Sequence, residues 1–142
     1  MKILIFGLPG SGKSTLAKPF AELIRGIHIN ADEVRKEYDD WDFTPEGRIR
    51  QAQRMRYLAD GVVKAGKVAI ADFVCPTKQA RQAFDPDFVV WMDTIKKSRF
   101  EDTNAVFEKP EKYDYHVAEW FDDTHAQLLP VVQRWMAKQK DV

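Results

Sequence analysis

Apolar and polar positions alternate along the chain in blocks that predict strands and helices in turn. Lys2 to Phe6 is a short apolar run rich in Ile and Leu and ended by Gly7, the pattern of a buried strand. Leu16, Ala17, Phe20 and Ile24 then fall at helical spacing, which predicts a helix over Lys13–Ile24 stopped by Gly26. Pro19 inside that stretch predicts a kink or a tolerated proline. Gly26 to Ile29 reads as a second short strand. Ile49, Ala52, Met55, Leu58, Ala59, Val62 and Val63 form one apolar stripe, predicting a long helix over Glu46–Ala65 closed by Gly66. Lys67–Phe73 and Phe88–Met92 are continuous apolar runs, as expected of strands covered on both faces. A last helical stripe runs from Asp122 to Gln139 and is interrupted by Pro130. Lys96 to Asp114 is dense in charge and poor in periodicity, and reads as a loop, a candidate mobile one.

Strand and helix in alternation imply an α/β fold, a parallel sheet with helices on both faces. At 142 residues the chain reads as a single domain, 1–142, large enough for one core. Lys and Arg number 22 and Asp and Glu 22, so the formal charge is zero, which disfavours nucleic acid or an anionic membrane as a partner held by bulk charge. A small anionic ligand needs only a local cluster. The single cysteine, Cys75, excludes an intrachain disulfide and a multi-thiolate metal site. No apolar run approaches the ~18 residues of a membrane span, and MKILIF is too short for a signal-peptide core. A cytoplasmic protein is expected.

The chemistry starts after the first strand. Gly7-Leu8-Pro9-Gly10-Ser11-Gly12-Lys13-Ser14 satisfies G-x-x-x-x-G-K-[ST] between a predicted strand and a predicted helix, the context that the motif requires. Its glycines let successive N–H groups point at phosphate oxygens, and the helix adds its positive N-terminal end. Lys13 is expected to reach the β- and γ-phosphates of ATP, and Ser14 to bind Mg²⁺. The fold class that follows is the P-loop nucleoside-triphosphate-binding fold, a five-stranded parallel sheet with the first strand central. The loop alone does not separate a kinase from a hydrolytic switch, but the short chain leaves little room for the partner-binding regions of a motor and favours a small-molecule kinase.

Beyond the second strand come Asp32 and, one helical turn on, Arg35. Ligands of open α/β sheets sit beyond the carboxyl ends of the strands, so this turn faces the phosphate loop. Asp32 is the candidate base for an acceptor hydroxyl, and Arg35 the candidate for an anionic acceptor group; a helix N-cap is the competing role for Asp32. Asp72 ends its apolar strand and reads either as a Mg²⁺ ligand or as a structural residue. His28, His116 and Cys75 show no partner pattern for metal or nucleophile chemistry.

Together these residues resemble the adenylylsulfate kinase family from Lys2 to about His116. The phosphate loop, Gly7 to Thr15, is similar to that of the family. Asn30-Ala31-Asp32-Glu33-Val34-Arg35 stands for the family's Asp-Gly-Asp-Asn-Val-Arg. Phe43, Thr44, Arg48, Gln51 and Arg54 occupy its Phe-Ser-x-x-x-Arg-x-x-Asn-x-x-Arg, and Arg48, Gln51 and Arg54 recur near one side of a helix as if sharing a target. Phe73-Val74-Cys75-Pro76 with Arg81, and Asp93-Thr94, match two further motifs.

The resemblance implies transfer of the ATP γ-phosphoryl group to the 3′-hydroxyl of adenosine 5′-phosphosulfate, a step of sulfate assimilation. By the same resemblance Asp32 is the acceptor-side base and metal partner, and Arg35 and Arg48 hold the phosphosulfate beside Gln51. Phe43 and Phe100 stack on the acceptor adenine, and the main chain of Phe73, Val74 and Cys75 lines its pocket. The small-molecule partners are ATP and adenosine 5′-phosphosulfate, and a homodimer stays open. Several positions depart from the family. Asn30 replaces an acid, Ala31 a glycine and Gln51 an asparagine. The family's lysine-rich Tyr-Lys-Lys-Ala lid segment is missing, which leaves Lys96, Lys97 and Arg99 to supply positive charge. A shorter lid excludes water less well, so a different acceptor (a nucleoside, nucleotide or polynucleotide 5′-end) and a nucleotide-binding domain of little activity stay open as alternatives.

Overall fold

The computed structural model describes residues 1–140; the last two positions of the expected 1–142 domain lie outside the described residues. Five strands, β1 (Lys2–Gly7), β2 (Ile27–Asn30), β3 (Ala69–Phe73), β4 (Phe88–Met92) and β5 (Tyr115–Val117), form one sheet in the order β2-β3-β1-β4-β5. All four pairings are parallel, and β1 is central as expected. Every residue of β1 is buried, which explains its unbroken apolar composition.

The helices are α1 (Lys13–Ile24), α2 (Ala31–Tyr38), α3 (Pro45–Lys64), α4 (Lys78–Phe84), α5 (Glu101–Val106) and α6 (Thr124–Lys140). Side chains alternate across the sheet and feed two cores. Leu4, Phe6, Ala71 and Phe73 pack with Val34, Met55, Ala59 and Phe84 of α2, α3 and α4. Ile3, Ile5, Ile70 and Val90 pack with Leu16 and Phe20 of α1 and Leu128 and Val132 of α6.

Several boundaries differ from the sequence reading. The second strand starts at Ile27 and the third at Ala69. The left-handed residue that ends α1 is Arg25 (φ 56°). Gly26 serves a close approach instead: a Cβ there would lie 2.4 Å from Ile70 Cδ1 and 2.7 Å from the Val68 carbonyl oxygen. Both α1 and α6 run through their prolines, Pro19 and Pro130, because packing of their apolar faces outweighs one missing hydrogen bond. The expected loop Lys96–Asp114 contains α5. The sheet's fifth strand, β5, is only three residues long, too short for a periodic signal.

Strand register gathers the chemistry at one edge. Asn30 pairs with Asp72, Phe6 with Phe73, and Gly7 with Met92. The phosphate loop, the start of α2 and the ends of β3 and β4 therefore meet where the strands end.

Candidate active site

The phosphate loop leaves β1 at Gly7, where a Cβ would lie 2.5 Å from the Met92 carbonyl oxygen, so β4 can pack against it only if this position is glycine. Gly10 (φ 83°) and Gly12 (φ 94°) adopt left-handed conformations that strain other residues. Gly12 caps α1 with no side-chain bond to its first-turn N–H groups, and that turn holds no acidic residue. An uncapped helix start facing a cavity is a site for an anion. Lys13 Nζ donates to the Leu8 carbonyl at 3.0 Å. Burial pulls the Lys13 pKa down, and the nearby charges of Asp72 and Asp32 pull it back up.

A cavity of about 830 Å³ opens in front of this loop. From the loop it is lined by Pro9, Gly10, Gly12, Lys13, Ser14 and Thr15. Its other wall holds Asp32, Arg35, Phe43, Arg48, Gln51, Phe73, Val74, Cys75 and Phe100. Gly7, Leu8 and Ser11, expected at the nucleotide, do not line it. Gly7 packs on β4, and Leu8 faces a smaller cavity with Trp91 and Phe107. The Ser11 side chain is buried without a hydrogen-bond partner, while its carbonyl accepts from Thr94 Oγ1 at 2.7 Å.

Helix α2 resolves the competing role for Asp32. The cap is Asn30, whose Oδ1 accepts from the Glu33 N–H at 3.0 Å, and Asp32 stands exposed at the cavity wall, free for other work. Arg35 is buried and donates to the Asp40 and Asp42 carbonyls at 2.9 and 3.2 Å. Its guanidinium lies 4.3 Å from the centre of the Phe43 ring, and that of Arg48 lies 5.5 Å from it. Arg48 also donates to the Phe43 carbonyl (2.9 Å) and to Thr103 Oγ1 (3.3 Å), so it ties α3 to α5. Burial lowers the pKa of both arginines.

Gln51 lines the cavity but is committed, donating to the Ala31 carbonyl at 3.0 Å and accepting from Arg54 at 2.9 Å. Arg54 turns from the cavity to Asp40 (2.9 Å), so the target that Arg48, Gln51 and Arg54 seemed to share is not a single ligand. Cys75 takes a left-handed conformation (φ 44°) and burial pushes its thiol far above the usual range, which leaves it inert. Arg81 holds this turn through the Cys75 and Pro76 carbonyls at 3.1 and 3.2 Å. Phe100, 44% exposed, precedes α5 and lines the same cavity as Phe43, and Lys97 and Arg99 add positive charge to its lining.

Sequence reasoning missed Ile95, Asp102 and Thr103, which the unanticipated α5 region brings to the wall. It left Asp72 undecided. The structure buries Asp72 beside Ser14, whose Oγ donates to its carboxylate at 3.2 Å, with Asn30 and His28 against the same group.

A family model described as adenylylsulphate kinase matches residues 1–89. The chain belongs to this family. The matched residues run from β1 to the start of β4, including the phosphate loop and most of the acceptor-side wall. The chain is similar to the probable adenylyl-sulfate kinase of Aeropyrum pernix, 35% identical over 85 residues, covering 56% of this chain and 46% of that one. The chain thus spans just under half the length of that relative. Against the adenylyl-sulfate kinase of Klebsiella pneumoniae it is 30% identical over 142 residues, covering 78% of this chain and 71% of the relative. The solved structure of the Mycobacterium tuberculosis APS kinase CysC, in complex with AMPPNP and APS, superposes with a TM-score of 0.79. It is 17% identical and the match covers 93% of this chain and 96% of that one, a likeness of fold.

Proposed function

We propose that this protein transfers the γ-phosphoryl group of ATP to the 3′-hydroxyl of adenosine 5′-phosphosulfate. One observation carries the reading: a single cavity is lined by the phosphate loop on one side and by Asp32, Arg35, Phe43, Arg48 and Phe100 on the other. Those are the residues that the adenylylsulfate kinase resemblance assigns to the acceptor. A relative of the same fold, crystallised with AMPPNP and APS, supports the pairing of substrates.

Backbone N–H groups of the loop and the start of α1 hold the β- and γ-phosphates, with Lys13 as a mobile positive charge once it leaves the Leu8 carbonyl. Phe43 and Phe100 offer ring faces to the acceptor adenine, and Arg35 and Arg48 offer positive charge to the phosphosulfate. Asp32 accepts the proton of the 3′-hydroxyl as its oxygen bonds to the γ-phosphorus. The bond from that phosphorus to the bridging oxygen breaks, and ADP leaves. The oxygen donors at Ser14 and the neighbouring carboxylates fit Mg²⁺, a hard cation that needs only one or two protein groups beside the phosphates. When bound, Mg²⁺ neutralises charge on the β- and γ-phosphoryl oxygens.

Phosphoryl transfer from ATP, measured with and without adenosine 5′-phosphosulfate, tests the reading. Acceptor-dependent turnover is the expected result. Turnover only with another hydroxyl acceptor would move the protein to a different specificity within the same chemistry, and nucleotide binding without transfer to any acceptor would defeat the kinase assignment.

A further inference from the structure

Asn30 stands where the resemblance puts an acid, and a carboxylate, Asp72, lies beside it. The two positions are paired residues of neighbouring strands, Asn30 on β2 facing Asp72 on β3. Their side chains meet: Asn30 Nδ2 lies 3.4 and 3.3 Å from the two oxygens of Asp72, and 3.0 Å from Ser14 Oγ. Ser14 Oγ in turn donates to both Asp72 oxygens, at 3.2 and 3.3 Å. A carboxylate thus lies one strand across from position 30 and in contact with the hydroxyl of the phosphate loop.

We propose that Asp72, with Ser14, carries the protein's share of the Mg²⁺ site, and that Asn30 is the residue that makes this placement workable. This rests on the nucleotide-binding half of the reading above. Asp72 is 3% exposed, lines the same cavity as the loop, and its charge acts on Lys13. A carboxylate so deeply placed needs partners, and it has three: the Ser14 hydroxyl, the Asn30 amide and the His28 ring. The amide's oxygen is occupied by the Glu33 N–H as the cap of α2, which turns its NH₂ toward Asp72. Asparagine satisfies both demands. An aspartate at 30 would also cap α2, but would set two carboxylates against each other without a cation between them. Either strand can hold the acid, and only one at a time. No group of three or more His, Cys, Asp or Glu side chains able to hold a metal gathers among the described residues, so the cation depends on nucleotide phosphates as well. Asp32 is left to the acceptor hydroxyl.

Calorimetric titration of the whole protein with the non-hydrolysable analogue AMPPNP, in excess Mg²⁺ and in EDTA, tests the assignment without turnover. In the wild type Mg²⁺ should tighten binding by roughly tenfold or more, the size of one charge-assisted contact. Asp72→Asn should reduce that ratio to near one, while affinity in EDTA stays equal or improves, because a negative charge beside the phosphates has gone. The exchanged pair N30D/D72N should recover the ratio, and D32N, at an exposed position, should keep it. A D72N protein that keeps the full enhancement, or weakens equally in both buffers as a merely structural residue would, overturns the proposal. So does an exchanged pair that folds without recovering the ratio, or loss of the ratio in D32N, which also decides the matter if D72N fails to fold. If the wild type binds no AMPPNP in either buffer, the kinase reading fails and this assignment with it.

Discussion

On the proposed reading single side chains divide the labour of the cavity, and their substitutions should separate. Among the described residues Lys13 Nζ donates only to the Leu8 carbonyl, so Lys13→Ala should leave the melting temperature almost unchanged. It should slow phosphoryl transfer by about a thousandfold, as expected when a charge aimed at the transferring group is removed. A variant retaining a tenth of the rate would show that Lys13 does not act there. Phe43 is 49% exposed and presses on the guanidinium of Arg35. Losing a stacking ring costs about 1–3 kcal/mol per base, so Phe43→Ala should raise the KM for adenosine 5′-phosphosulfate by roughly 5- to 150-fold and barely move that for ATP. Equal loss toward both substrates would mean that Phe43 only supports Arg35. Asp32→Asn should lower kcat with both KM values near wild type, since a base acts in the transition state.

Among the elements, α2 and α3 are clamped by Asp40 and Asp42. Arg50 reaches Asp40 at 2.8 Å and Asp42 at 2.9 Å, and Arg54 reaches Asp40 at 2.9 Å. Hydrogen bonds from Arg50 and Arg54 hold the Asp40 carboxyl far below the usual carboxylate range, and those from Thr44 and then Arg50 hold Asp42 down to about 2. Both folded-state values lie below the unfolded ones, so the clamp contributes fully above about pH 4 and is lost as the pH falls through about 2 for Asp42 and lower still for Asp40. Asp40→Asn should therefore melt below the wild type at pH 7, and the gap should narrow steadily as the pH falls from about 4 toward 2; a constant gap would refute the linkage. These elements also mark how far the sequence could be read. The long apolar runs and the stripe of α3 stated their structure within one or two residues, and the glycine spacing stated the loop. What periodicity could not reach were elements shorter than its own window: α4, the six residues of α5 and the three of β5. Within the site, residue types named Lys13, Ser14 and Asp32 as candidates. The Asn30 cap and the burial of Asp72 depend on strand register, which no local pattern carries.

At the scale of the whole molecule, the site and one of its two cores are separable. Helix α6 contributes nothing to the cavity, yet Leu128 is fully buried beneath it with Ile3, Ile5 and Phe20. Leu128→Ala should cost about 2–5 kcal/mol of stability while both KM values hold; denaturant unfolding and steady-state kinetics on one sample check this, and a shifted KM would couple α6 to the site. The central place of β1 has a consequence for synthesis. Its partners are far along the chain, Lys2 beside Ala69 and Ile3 beside Phe88. Of the five strands, β1 thus waits longest for its second neighbour. At about 5–20 residues per second, its apolar surface waits roughly 4–18 s for β4 to be made. The close approach of Gly7 to Met92 at the base of the phosphate loop waits with it. Ile3 to Phe6 lack their β4 neighbour through that interval, and their protection falls to whatever holds an unfinished polypeptide.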